Sequence, residues 1–379
     1  MESFVQYRKG TTPSRRIHAD LDGLKDDELG RNGFFGRQAQ FYRRNDPTAY
    51  RSEGRIRERH TNTYDLVPDD HDDPAGDPML LYSNGEVRIS LSRRAQPMPF
   101  FTGFLDGDVV LFVHTGTGTV ETEFGPITYR PGDYLYLPKA SVYRVVPDGP
   151  DTLQLVVETR NELRIPPTSV LGRHYPYDST MVFVPEPVEY ESDGRDEYQI
   201  RYTDWDGEHT SHFYKHHPLD AVGWRGDNFP FRLNIDEYDV LTSDTVHLPP
   251  SVHVFLQNHD VWLLHFLPHR AEGAPGTERS PWYHRNCDFD EIAFYHGGSV
   301  FGVTLPAGLF SHAPQGIQHG APERARERAR RMHDEADMVE WQIIAIDTRA
   351  RLEPSPALLA HEAAVAAARA ADESESAHR

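Results

Sequence analysis

The chain has 379 residues, with 59 acidic against 39 basic side chains and a formal charge of −20. That length allows two domain cores, and the acidic balance excludes the basic footprint of a nucleic-acid binder, leaving solubility as the plain reading of the charge. The single cysteine, Cys287, excludes an intrachain disulfide framework, and the many glycines (28) and prolines (29) favour short strands and turns over long helices.

Residues 1–60 are basic, aromatic and irregular, an extended arm with short strands that needs a barrel or a neighbouring subunit to pack on. The opening segment MESFVQYRKGTTPSRR lacks the apolar core of a signal peptide, and no stretch reaches the ~18 apolar residues of a membrane helix. Together with the lone cysteine this leads to the expectation of a soluble, cytoplasmic protein with no membrane partner.

Residues 61–165 alternate as strands do. Val87-Arg88-Ile89-Ser90-Leu91 has a period of two, and Val109-Val110-Leu111-Phe112-Val113 is a continuous apolar run, which predicts a strand buried on both faces. Gly116-Thr117-Gly118 and Pro131-Gly132-Asp133 mark turns; the first is expected to be a hairpin rather than a nucleotide loop, because no helix follows it. Residues 166–240 form a proline-rich connection with strands at 198–202 and 211–214. Strand pattern returns at 241–350, with its clearest runs at 252–256, 261–266, 291–295 and 341–346, and a charged, helix-prone stretch at 321–336. The tail, 351–379, is alanine-rich and predicts an exposed helix that ends in disorder.

Two motifs carry the chemistry. His284-Arg285-Asn286 is followed by Glu291 and, after six intervening residues, by Gly298; Gly308 is followed, after five residues, by Pro314-Gln315-Gly316 and then by His319. The spacing is that of the cupin barrels, and two imidazoles with one carboxylate leave a divalent metal with open coordination positions, as in non-haem iron(II) oxygenases. Asn286 stands where many cupins carry another histidine, which favours three protein ligands over four. Upstream, Gly125, Pro131-Gly132-Asp133 and Tyr136 repeat the second motif, and Gly116 sets Val109 opposite Glu291. This predicts an internal duplication whose first copy has lost its ligands, with Tyr136 in the place of His319. The expected fold is therefore all-β dominated: tandem cupin (double-stranded β-helix, jelly-roll) barrels with an N-terminal arm and a short C-terminal helix.

In their order along the chain, several stretches resemble homogentisate 1,2-dioxygenases: Tyr7 to His18, Gly223-Trp224-Arg225-Gly226-Asp227, His247-Leu248-Pro249-Pro250-Ser251-Val252, Trp282 to Asn286, and Ile317-Gln318-His319-Gly320. The resemblance implies iron(II), Fe(2+), held by His284, Glu291 and His319 in the second barrel, with His247 as the active-site base. It implies opening of the homogentisate ring with dioxygen to give maleylacetoacetate, in tyrosine and phenylalanine catabolism, by a trimer or hexamer. Trp282, Arg285, Ser299 and His312 are the expected substrate contacts. Two departures stand out: Ser299 follows the glycine turn where the family places a tyrosine, and His312 is offset by one place from a family histidine, with Ala313 in its stead. The competing expectations are another cupin metalloenzyme (a gentisate-like or flavonol-type dioxygenase, or an isomerase) and a non-catalytic two-cupin binding protein.

Overall fold

The computed structural model describes residues 6–13, 16–167, 169–190 and 193–377. The first five residues, residues 14 and 15 of the arm and the last two residues of the tail lie outside the described residues. The fold is two tandem β-barrels of the cupin type, each made of two facing sheets. In the first barrel a seven-stranded sheet has the spatial order Phe231–Asn234, Asp133–Leu137, Asp108–Thr115, Leu153–Thr159, Val87–Ser92, Met79–Ser83, Glu353–Pro354. It faces a six-stranded sheet built around Phe101–Phe104 and Tyr143–Pro147. The second barrel has the order Val254–Gln257, Val261–Phe266, Met338–Thr348, Asp290–Val300, Leu309–Ala313, Arg59–Asn62, facing a three-stranded sheet of Tyr283–Asn286, Lys25–Gly30 and Gln38–Arg43.

The apolar run at Val109–Val113 is a central strand buried on both faces, as its composition requires. Val87–Ser92, one strand further on beyond Leu153–Thr159, is buried at all its positions but Arg88. Gly116 turns at φ 88°, but the chain then crosses to the other sheet and pairs Gly118–Thr122 with Tyr143–Pro147; the expected hairpin is instead a sheet-to-sheet corner.

The duplication is real, and hydrogen bonds fix its register. Buried Asp108 accepts from the Tyr136 hydroxyl and from the backbone N–H of Lys139 and Leu163; buried Asp290 accepts from His312 Nε2 and from the N–H of Gln315 and Leu352. Pro138-Lys139-Ala140 is thus the counterpart of Pro314-Gln315-Gly316, and the third residue is left-handed in both turns (φ 63° and 77°). Gly132 likewise matches Gly308, donating to Val113 O as Gly308 donates to Tyr295 O. This corrects the sequence alignment of the second motif by seven residues. Tyr136 is the counterpart of His312, and the residue in the place of His319 is Tyr143. Val109 does stand opposite Glu291.

Each repeat lends its first three strands to the other. The hairpin Lys25–Gly30 and Gln38–Arg43, with Arg59–Asn62 after it, precedes the first barrel in sequence but pairs with strands of the second. Tyr198–Thr203, His209–Tyr214 and Phe231–Asn234 precede the second barrel and pair with strands of the first. Asn62 and Asn234 each cap a short 3-10 turn at the end of the exchanged segment. One continuous apolar core joins the barrels, with Phe112, Tyr134, Leu155, Phe255, Phe294 and Ile344 among its residues.

The helix expected within 321–336 spans Glu323–Arg331, and the tail helix spans Pro356–Ala377. Among the described residues no helix is long and apolar enough to cross a membrane.

Candidate metal centre

His284 sits on the strand Tyr283–Asn286, Glu291 near the start of the long strand Asp290–Val300, and His319 just past the turn closed by Gly316. The tight turn between the first two strands sets His284 and Glu291 on adjoining elements. The backbones of His284 and His319 exchange two hydrogen bonds of 3.0 Å, which brings their rings to 4.1 Å between centroids. Donor atoms of all three side chains lie within 4.8 Å of one another.

Each imidazole is held by its other nitrogen. His284 Nδ1 lies 3.2 Å from Trp282 O, and His319 Nδ1 lies 3.0 Å from Ile317 O. A carbonyl can only accept, so each Nδ1 carries a proton and Nε2 is the nitrogen turned to the centre. Asn286 donates to Glu291 Oε1 at 3.2 Å, while Glu291 Oε2 is buried without a hydrogen-bonding partner although His319 Nε2 is 2.6 Å away.

The electrostatics call for a cation. Glu291 is cross-strand neighbour to buried Asp347, whose carboxyl is pushed well above its ordinary range by burial and then by the Glu291 charge. Glu28 of the arm pairs in register with His284, and burial, with Glu291 adding to it, raises its carboxyl to about 7. Glu291 itself is held below its ordinary range: the charges of His319 and His284 outweigh the cost of its burial. Three clustered carboxyls around two imidazoles, two of them buried and the third, Glu291, with an orphaned oxygen, match the donor set that a divalent metal requires. His284, Glu291 and His319 are the residues that could hold it.

Trp282 connects this cluster to His247. Its ring is 4.2 Å from His18, stacked, and 5.7 Å from His247. Phe34 of the arm lies 5.2 Å from His284 and 5.8 Å from Trp282. His247 Nδ1 meets buried Glu272 at 2.7 Å, and its Nε2 is buried without a partner among the described residues. A small pocket opens beside His247 and Glu272, walled by His253, His269 and Trp341 but by none of the three donors. Cavity size alone therefore does not mark the centre; donor convergence does.

Residues 97–235 match the family model described as homogentisate 1,2-dioxygenase N-terminal. The chain is 26% identical over 367 residues to a Saccharolobus solfataricus protein named "Putative dioxygenase", covering 89% of this chain and 93% of that one. It is 24% identical over 249 residues to homogentisate 1,2-dioxygenase of Emericella nidulans and 25% identical over 253 residues to that of Pseudomonas putida. Those two matches take in 63% and 64% of this chain, and 55% and 57% of the relatives, so the chain spans little more than half their length. The chain is related to the homogentisate 1,2-dioxygenase family. Among solved structures it resembles a cupin 2 conserved barrel domain protein from Leptotrichia buccalis, with a TM-score of 0.36, 12% identity, and 76% and 96% of the two chains covered. That likeness is loose, and the barrel architecture rests on the sheet order itself.

Against the homogentisate dioxygenase pattern, the expected substrate contacts divide. Trp282 lies beside the donors. Arg285 alternates away from His284 and faces the arm, 3.8 Å from Asp27 and near the Phe41 ring, where it braces the ligand strand. His312 pairs with Ile292, one place from Glu291, so its side chain lies on the opposite face; it hydrogen-bonds Asp290 and packs on Tyr82. Ser299 lies eight positions along the strand from Glu291, about 26 Å at the usual rise per residue, and donates to Glu340 at 2.9 Å. The structure brings neither His312 nor Ser299 to the donors.

Glu28 and Phe34, by contrast, were not expected at the centre. The one signal for them in the sequence is the acidic run Asp26-Asp27-Glu28 inside a basic arm; all three are buried. Asp26 binds Arg326 (2.5 Å) and His18 (2.8 Å), and Asp27 binds Arg43 (2.5 Å) and Gln318 (2.7 Å).

Proposed function

We propose that the chain is an iron(II)-dependent ring-cleaving dioxygenase whose substrate is homogentisate, opened with dioxygen to maleylacetoacetate. The observation that carries the reading is the convergence of the His284, Glu291 and His319 donors, in a chain related to the homogentisate 1,2-dioxygenases. A divalent metal held by these three residues would supply Lewis-acid activation of a phenolic hydroxyl and of dioxygen.

The chain's own residues do the rest. The Nδ1 bonds of His284 and His319 to Trp282 O and Ile317 O fix the ring orientation in which Nε2 faces the centre. Asn286 orients Glu291 through Oε1 and leaves Oε2 to face the cation. His247 is the base: Glu272 holds its Nδ1 proton, so the partner-free Nε2 takes the proton from the substrate hydroxyl. Trp282 and Phe34 give the aromatic substrate an apolar wall and exclude water. Glu28 adds a buried carboxyl beside the centre that strengthens its preference for a cation.

The test is anaerobic iron(II) loading, followed by an oxygen-electrode assay with homogentisate and, separately, gentisate. Uptake with homogentisate and a ring-opened product is the expected result. Iron bound at one equivalent with no uptake on either substrate defeats the reading, and turnover with zinc in the absence of oxygen would point to an isomerase.

A further inference from the structure

Each position at the metal centre has a counterpart in the first barrel. Thr102 pairs with Tyr143 as His284 pairs with His319, so these two take the places of the imidazoles, and Val109 takes that of Glu291. The exchanged strands supply a fourth pair. Arg201 lies in parallel register with Thr102, as Glu28 does with His284. Two imidazoles and two carboxyls are thus replaced by a hydroxyl, a phenol, an aliphatic side chain and a guanidinium. Asp347 alone keeps a carboxyl, as Glu158, and no metal set remains.

The counterpart has not been plugged either. In the second barrel Trp262, Leu264 and Ala345 close the space by packing with Phe289 and Val254. The shared register sets Arg88, Ser90 and Val156 at the places of Trp262, Leu264 and Ala345. What results is a cleft of about 800 Å³, open to solvent, whose wall includes Thr102, Tyr143, Arg88, Ser90, Gln154 and Arg201. The polar face of the strand Val87–Ser92 therefore points into a barrel and not into bulk water. Ser90 and Gln154 are only 5% and 4% exposed.

Each guanidinium in the wall has a carboxylate nearby. Arg88 lies 3.1 Å from Glu158 and Arg201 lies 2.6 Å from Asp77. Arg94, also in the wall, donates to the carbonyls of Pro74 and Gly76 and holds the rim. Arg94 also lies 3.7 Å from buried Asp70, so the three guanidiniums are matched by three carboxylates, but Arg88 and Arg201 each keep a buried Nε with no hydrogen-bonding partner among the described residues. Met98, Leu111 and Val145 give one side of the cleft an apolar surface.

We propose that this cleft is a second binding site, for a small hydroxylated carboxylic acid. The carboxylate lies between Arg88 and Arg201, the hydroxyls meet Tyr143 and Ser90, and the body rests on the apolar side. The proposal stands apart from ring cleavage in the other barrel, since none of these residues touches the three donors.

Titration calorimetry on the iron-loaded protein tests it, with 4-hydroxyphenylacetate as the probe and 4-hydroxyphenylacetamide as its neutral counterpart. The expected result is binding of the acid that weakens about tenfold or more in Arg201→Gln, the loss of one charge-assisted hydrogen bond. The amide should bind correspondingly worse. Ser90→Leu, which restores the apolar residue of the other barrel, should abolish the same binding event. Oxygen uptake at the metal centre should be unchanged in both variants, and thermal melts establish that each is folded. Absence of binding by the folded wild type, or an affinity for the acid unmoved by either variant, overturns the proposal; loss of oxygen uptake alone bears on the proposed dioxygenase and not on this site.

Discussion

Where the two barrels meet, His114 and His296, counterparts in the two repeats, share a hydrogen bond of 2.8 Å between their Nδ1 atoms, and Tyr64 binds His114 Nε2 at 2.9 Å. The rings pack against Phe112 and Phe294. Burial, and then the neighbouring His296, lowers His114 to about 3. Burial lowers His296 to about 4, against a smaller opposing effect of Asp236. A histidine freed by unfolding titrates near 6.5. Between that value and the folded ones the unfolded chain binds more protons, so the stability held by this pair is complete above about pH 6.5 and falls as the pH drops. At pH 5 each group costs the fold about 2 kcal/mol relative to neutral pH, on the order of 4 kcal/mol for the pair. The assay is urea unfolding, followed by tryptophan fluorescence at pH 7 and pH 5, of the wild type and of the double variant His114→Phe/His296→Phe. Tyr64 is exposed and can turn its hydroxyl to water in the variant. Other buried histidines whose values are lowered, His253 and His265, contribute equally to both proteins and cancel. The variant should lose less stability between the two pH values, by that amount. Equal losses would show that the pair is not held neutral and would refute the reasoning.

Asn286→Ala removes the group that orients Glu291, and should weaken metal binding by roughly 10–100-fold, as outer-sphere losses do, measured by competition with a chelator. His247→Asn should leave iron content intact while turnover with homogentisate falls by about 10²–10⁴-fold; a variant as active as the wild type would remove His247 as the base. Arg326→Met leaves buried Asp26 without its guanidinium partner. It should cost about 3–5 kcal/mol in urea unfolding, and a cost near zero would mean that Asp26 is held by His18 alone.

Much of the metal centre was legible because its spacing is local. Strand, tight turn and strand set His284 and Glu291 on adjoining elements, and a turn with a left-handed residue at Gly316 returns His319 to the same place. Strand alternation likewise marked the buried run at Val109–Val113. The second motif of the first repeat was misaligned because it contains two turns that begin with proline, at 131 and at 138, and the glycine spacing matched the wrong one. Only the hydrogen bonds to Asp108 and Asp290 distinguish them.

The sequence by itself determined a duplicated β-rich chain with one set of donors, since residue periodicity and turn chemistry act over a few neighbouring positions. The tertiary structure decided which barrel receives which strands. A sheet edge offers the same N–H and C=O groups to any strand, so nothing local in residues 25–62 selects the distant barrel over the adjacent one. That choice brings Glu28 and Phe34 to His284, and sets Arg201 beside Thr102. Strand alternation places Arg285, next to His284 in sequence, and His312, the cross-strand partner of Ile292, on the faces turned away from the donors.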